Sequence, residues 1–352
     1  MNKMQEPPPI SEDYMKSRLQ KLLAIPSPTG WTDLAIEYVS QELAALGLEA
    51  ERTKKGGVTA FLTGESSDEP RALTAHVDTL GAVVKEIKPN GRLKLSKIGG
   101  YAWNTIEGEG CHVLTAAGDQ LPGSILITKA SAHIYANAVG ETERSDDTME
   151  VRLDILTSSK EETLAAGVSV GDFVAFDPRA MTFENGFIRS RHLDDKAGVI
   201  CLLAAVHSMR EVGWQPSQDT TLHFSNYEEV GHGAASGFRS DLHELLAVDM
   251  AVVGEGQESD EFHTTICTKD SAGPYHFGLT RRLIDLAEQH EIPHKVDVYS
   301  HYGSDAEAYW RAGGDVRVAL IGPGVDASHN YERTHIDALI ATTRLIALYL
   351  RS

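Results

Sequence analysis

Apolar and polar positions divide the chain into helix-like and strand-like stretches before any chemistry is considered. Residues 11–27 and 31–48 predict helices, the second with apolar positions at Leu34, Ala35, Tyr38, Val39, Leu43 and Leu46 and a stop at Gly47. Short apolar runs at 58–62, 72–77 and, after Gly81, 82–84 predict strands. From about 85 to 187 the texture changes to β-like segments (RLKLSKI, HVLTAA, GSILITKA, MEVRLDIL, DFVAF and GFIRS) broken by Gly, Asn, Pro and Asp. Beyond it, helices are expected at 198–212, 275–291 and 334–350, and strands at 221–225, 246–253 and 315–321. Strands alternating with helices on both sides of a β-rich insert predict an α/β fold: a mixed-sheet domain interrupted by a small β-barrel-like domain. The expected division gives 1–84 and 188–352 to the α/β domain and 85–187 to the insert.

Composition narrows the class of protein. A chain of 352 residues, 41% of them hydrophobic, can bury a full core. No apolar run approaches the roughly 20 residues needed to span a bilayer. The N-terminus, MNKMQEPPPISEDY, lacks the charged-then-apolar layout of a signal peptide, so a cytoplasmic protein is expected. A formal charge of −19 argues against nucleic acid or an anionic membrane as partner, because either polyanion would be repelled over most of the surface. Cys111, Cys201 and Cys267, odd in number and widely spaced, form neither a disulfide framework nor a zinc knuckle, and read as reduced packing residues. Of the fifteen histidines, isolated ones such as His207 and His290 carry no signal. Those set among carboxylates do.

Five segments stand out. In AHVDTLG, His76 and Asp78 lie two apart at a strand end and so share a face, where a carboxylate can orient an imidazole that binds a metal. In RHLDDKAG, Asp194 or Asp195 lies where the insert gives way to an apolar helix; either could cap that helix, and either could line a ligand site at a strand-to-helix junction. In NYEEVG, Glu228 and Glu229 follow a strand, and in a loop near Gly231 and Gly233 both can converge on one place, one as ligand and one as base. Asp249, alone in the apolar run LAVDMAVV, needs a partner or a cation, with Glu255 as its competitor. In DASHNYERTH, His329 or His335 could supply a second imidazole.

Together these supply two imidazoles, three carboxylate ligands and one spare carboxylate. Two divalent ions about 3.5–4 Å apart want this set, with one bridging carboxylate and one His and one further carboxylate on each ion. Such nitrogen and oxygen ligands suit zinc first, or cobalt or manganese. Asp305, in the Gly303–Asp305 loop, is a candidate substrate contact or a helix cap. Two rival readings compete. One is a glycosidase using Glu228 and Glu229, although paired glycosidase carboxylates sit about 5–9.5 Å apart, which neighbours rarely achieve. The other is a non-catalytic assembly or binding protein that keeps the fold.

At these motifs the chain resembles metallopeptidase family 42, the glutamyl and tetrahedral aminopeptidases, over nearly its whole length. AHVDTLG is similar to the family's first ligand motif, HLDDKAG to its bridging-aspartate motif, YEEVGHGAA to its base-and-ligand motif, AVDMAVV to its next aspartate strand and YGSDAEA to its substrate-side loop. The resemblance implies that Asp194 bridges two ions, that His76 and Asp249 hold one and Glu229 and His329 the other, that Glu228 is the base and that Asp78 orients His76. It also implies aminopeptidase activity on short peptides and a homo-oligomer, often a dodecamer, assembled with help from the insert. One departure stands in the last motif: the family commonly has His followed four residues later by Glu, whereas His329 and Glu332 are three apart. DASHNYERTH and GEGQESDEFHTTICTKDSAGPYH look closer to a branch associated with N-acetylglutaminylglutamine amide osmoprotectant synthesis, which implies a small peptide-like amide as substrate.

Overall fold

Four parallel strands, in the order Gln218–Ser225, Ser66–His76, Glu244–Val248 and Arg317–Asp326, form the middle of a 12-stranded mixed sheet in the computed structural model. The model describes residues 6–352; Met1 to Gln5, the start of the segment read for a leader, lie outside the described residues. Alternation along the strands sorts side chains onto two faces. Leu73, Ala75, Leu222, Phe224, Leu246, Val248, Ala319 and Ile321 join the larger core with the helices Glu12–Leu23, Leu193–Glu211 and Ile336–Arg351. Ala72, Leu245, Ala247, Val318 and Leu320 join a smaller core on the other side, with Ala306 of the helix Asp305–Arg311. The helix Leu193–Glu211 is buried continuously from Leu193 to Val206, which is why its sequence is apolar all round rather than striped.

The insert is a closed six-strand barrel, ordered Gly81–Ile87, Leu93–Ile98, Met149–Leu153, Gln120–Ile127, Gly110–Leu114, Phe173–Phe176, around its own apolar core. Its first strand contains the run expected at 82–84, which pairs in the barrel and not in the sheet. GFIRS does the reverse, since Phe187–Ser190 pairs with Glu332–His335 at the sheet edge. Short helices at Ala132–Tyr135, Ala138–Glu141 and Lys160–Ala165 interrupt the insert, which is therefore not all β. The single strand expected at 246–253 breaks into Glu244–Val248 and Ala251–Val253. Gly322 permits the passage at the break: a Cβ there would lie 1.5 Å from the carbonyl oxygen of Asp249, so the close approach of the two backbones admits no side chain. Thr264–Lys269, His294–Val298 and Glu332–His335 are strands with no expectation behind them, because each is short and carries polar residues on both faces. The three cysteines are free and buried, and no helix among the described residues is long and apolar enough to cross a membrane.

Away from the strand ends where chemistry is expected, Glu244 ties the sheet to the helices. Its carboxylate is 1% exposed and meets Arg71, Arg282, Arg317 and the hydroxyl of Tyr349, with Arg71 itself 5% exposed. Removing one side of a buried ion pair leaves a charge in low dielectric, so Glu244→Leu is expected to cost about 3–5 kcal/mol. A urea unfolding midpoint equal to the parent's would exclude this role.

Candidate metal centre

The parallel strands end in register, which brings three chemistry-bearing segments to one edge. Ser225 pairs with His76, and Ala247 pairs with Thr74, so the residues that leave these strands (Asp78, Glu228 and Asp249) emerge side by side at the carboxyl ends. The fourth contribution comes from the start of the long helix. Its first residues are non-helical: Asp194 (φ −74°, ψ 107°) turns its carboxylate towards His76, while Asp195 faces inward and caps the helix by accepting from Gly198 N at 3.1 Å and His76 N at 3.3 Å. The two adjacent aspartates thus divide the two tasks that the sequence left open between them.

Two ligand groups share one residue. His76, Asp194 and Asp249 each offer an atom within 4.8 Å of the others, and so do Asp194, Glu229 and His329. One Asp194 oxygen lies 3.1 Å from His76 Nε2 and the other 3.3 Å from His329 Nε2, the placement a bridging carboxylate needs. His76 Nδ1 lies 2.9 Å from the backbone carbonyl of Asp78, which fixes a proton there and turns Nε2 towards the carboxylates. The hydrogen-bond acceptor is the main chain of Asp78, and the carboxylate expected in that place lies 3.6 Å from the same nitrogen. That carboxylate, fully buried, instead accepts from the amides of Glu228 (3.2 Å) and Glu229 (3.3 Å) and from the Thr29 hydroxyl (2.7 Å), holding the acidic loop in place.

His329 is set by different means. Ala327 and His329 both adopt left-handed backbone (φ 59° and 61°), a tight turn that swings the imidazole over Asp194. Its Nδ1 donates to the carbonyl of Gly100, two residues beyond the barrel strand Leu93–Ile98, so Nε2 again faces the site. Glu332 was visible in the sequence only as a departure in spacing, and it has a clear place here. Its two buried oxygens accept from His329 N and Asp194 N, each at 3.2 Å, tying the last motif to the bridging one. His335 stands apart: it caps the final helix, contacts Asn185 and packs against Phe187 and Phe262. Glu255 is exposed and belongs to neither group.

Glu228 also belongs to neither group, yet its Oε2 is 3.7 Å from His76 Nε2 and it lines the same cavity. That cavity, about 390 Å³, is lined by Asp194, Glu228, Glu229, Asp249 and His329 together with Val252, His301 and Tyr302 among others. Asp305 is not in the lining. It is 3% exposed, and its carboxylate accepts from Ala234 N at 2.8 Å, Thr74 Oγ1 at 3.1 Å and the Ser225 hydroxyl. The substrate contact expected of it has no open face; its neighbours His301 to Gly303 have one.

The electrostatics favour cations here. Burial pushes the carboxyls of Glu228 and Glu229 well up, and that of Asp249 up to about 7, each reinforced by neighbouring carboxylates. Burial works against a charged imidazole at His76 and His329, but hydrogen bonding to Asp194 and the surrounding carboxylates outweighs it, raising His76 well above its usual range and His329 to about 10. So many buried acids either take up protons or share cations. Two inward-facing imidazole nitrogens and three carboxylates are the donor set that divalent ions of the zinc type take, an ion displacing the Nε2 protons.

The mixed sheet gathers these candidate ligands at its strand ends, with a barrel inserted after the first of them. The chain belongs to the M42 glutamyl aminopeptidase family, whose model matches residues 56–345, and this match makes it a peptide hydrolase. Among its relatives, the protein YhfE of Bacillus subtilis (strain 168), named as an aminopeptidase, is 46% identical over 334 residues, covering 95% of this chain and 96% of that one. The glutamyl aminopeptidase of Lactococcus lactis subsp. cremoris is 23% identical over 327 residues, covering 90% and 89%. Among solved structures, the TET aminopeptidase of Thaumarchaeota archaeon SCGC AB-539-E09 superposes with a TM-score of 0.87 at 20% identity, covering 96% of this chain and 97% of that one. The TET1 peptidase of Pyrococcus horikoshii, described as assembling into a tetrahedron or a large octahedral shell, gives 0.84 at 23% identity, covering 96% and 99%.

Proposed function

We propose that this chain is a two-metal aminopeptidase that hydrolyses the amide bond next to the N-terminus of short peptides or small peptide-like amides. The observation that carries the reading is the sharing of Asp194 between two three-residue ligand groups, one with His76 and Asp249, the other with Glu229 and His329. Two divalent ions bound there, zinc first, would supply Lewis-acid polarisation of the scissile carbonyl and a water acidic enough to act near neutral pH. Glu228 accepts the proton of the attacking water and delivers it to the leaving amine. The Asp78 carboxylate keeps the Glu228 and Glu229 amides in place, and the Asp78 and Gly100 carbonyls keep both imidazoles turned inward. Val252, His301 and Tyr302 form the wall against which the substrate's first side chain would rest.

A cytoplasmic homo-oligomer is the assembly this reading favours, in line with the shells described for the TET1 peptidase. Chelation followed by metal return tests the chemistry. Activity on a panel of aminoacyl, acyl-peptide and dipeptide-amide substrates is expected to fall to background in EDTA and to return with zinc, cobalt or manganese. Failure to hydrolyse any amide with any of these metals would refute the proposal, and activity that survives chelation would point back to a metal-free hydrolase.

A further inference from the structure

The segment from Ser225 to Ala234 carries both Glu228 and Glu229, and it is fastened at each end by two residues from elsewhere in the fold. The first is Lys55, in the turn between the strands Ala50–Arg52 and Val58–Leu62. That turn is closed by Thr53 N on Gly57 O (2.9 Å) and Gly56 N on Thr53 O (3.0 Å), with Gly56 at φ +91°. At the start of the segment, Asn226 Nδ2 donates to the Lys55 carbonyl at 2.9 Å. At the end, the Lys55 ammonium donates to the carbonyl of Gly233 at 2.9 Å and to that of His232. The second is Asp305, whose buried carboxylate takes the Ser225 hydroxyl at one end and Ala234 N at the other.

The fit leaves no slack. A Cβ on Gly233 would fall 2.2 Å from Asp305 Oδ1, 2.8 Å from Ser225 Oγ and 2.9 Å from Glu228 N, so the two ends and the base-bearing middle touch at one point. An ammonium has three donors and no acceptor, which suits it to bind two adjacent carbonyls; a buried carboxylate suits the amide and the hydroxyl. Between these anchors the amides of Glu228 and Glu229 are held by Asp78. We infer that Lys55 and Asp305 act as a pair of positioning residues that clamp residues 225–234 and so set where the Glu228 carboxylate stands relative to the scissile bond. Neither residue lines the cavity, and neither belongs to a ligand group. The inference rests on the proposed role of Glu228 for its effect on turnover, while its effect on the segment itself stands without that role.

The experiment compares Lys55→Met, Lys55→Arg and Asp305→Asn with the parent enzyme, by turnover of an aminoacyl amide, by metal content, and by hydrogen exchange of the 226–234 amides in metal-free protein. Lys55 is only partly buried, so its variants test the clamp without removing a core residue. Lys55→Met is expected to lower kcat by about 10–100-fold, the cost of a misplaced catalytic group. KM and metal content should stay at parental values, exchange of the segment should speed up, and Lys55→Arg should restore both kcat and protection. Asp305→Asn, where it folds, should accelerate exchange over the same amides. Unchanged exchange in Lys55→Met, a loss expressed in KM or metal content, or an arginine variant as impaired as the methionine one would each overturn the inference. Faster exchange together with a fully active Glu228→Gln would remove the base from Glu228 and leave the clamp standing.

Discussion

Replacing Glu228 with glutamine is expected to lower kcat by about 10²–10⁴-fold, the usual contribution of a positioned proton acceptor. The amide keeps the shape of the side chain and cannot take the proton. Because Glu228 lies outside both ligand groups, each purified variant chain should still carry the parental complement of metal, measured by elemental analysis. KM should change little, since the variant removes an interaction made in the transition state rather than uniform binding. A variant that loses metal in proportion to activity would show Glu228 to be a ligand, and one that keeps full kcat would leave the reaction without a base.

The second large effect concerns Asp194. Its two oxygens face different imidazoles, so under the proposed two-metal reading Asp194→Ala would remove a ligand from both ions at once. Activity is expected to fall by about 10⁴-fold or more, because several kcal/mol of carbonyl polarisation and water activation vanish together. Asp249→Ala and Glu229→Ala provide the contrast. Each is expected to weaken one ion and spare the other, giving a metal-to-chain ratio near half the parental value by native mass spectrometry, whereas Asp194→Ala should approach zero. An Asp194→Ala protein that retains the parental ratio would break the assignment of a shared carboxylate.

Much of the sheet was legible because its strands obey simple rules. The run Val58–Leu62 is a strand over the expected residues, and the helices at Glu12–Leu23 and Ile336–Arg351 follow their apolar spacing. Less legible were elements whose character comes from neighbours distant in sequence. Asp249 leaves its strand where Gly322, seventy-odd positions on, lets another backbone pass close to it. Asp305 reads in the sequence as a substrate contact or a helix cap, and it is the buried first residue of a helix, held by Ser225, Thr74 and Ala234. The side chains gathered at the centre could be named from His-x-Asp, adjacent acids and a lone buried aspartate. Which of two neighbours points inward depends on main-chain geometry that composition does not encode, as at Asp194 and Asp195, or at His329 and His335.

The carbonyl of Gly100 belongs to the barrel side of the molecule, yet it is what turns His329 towards Asp194. The insert is consequently not a detachable module. Joining the chain across its base would delete the carbonyl that holds His329 along with the strands, and a barrel grafted from a relative would serve only if the segment after its second strand delivered a carbonyl to the same spot. Evolution of the outer strands is free to proceed within that condition, so recombination between members of the family should be sensitive to the fit of this one peptide unit as well as to the barrel's own stability.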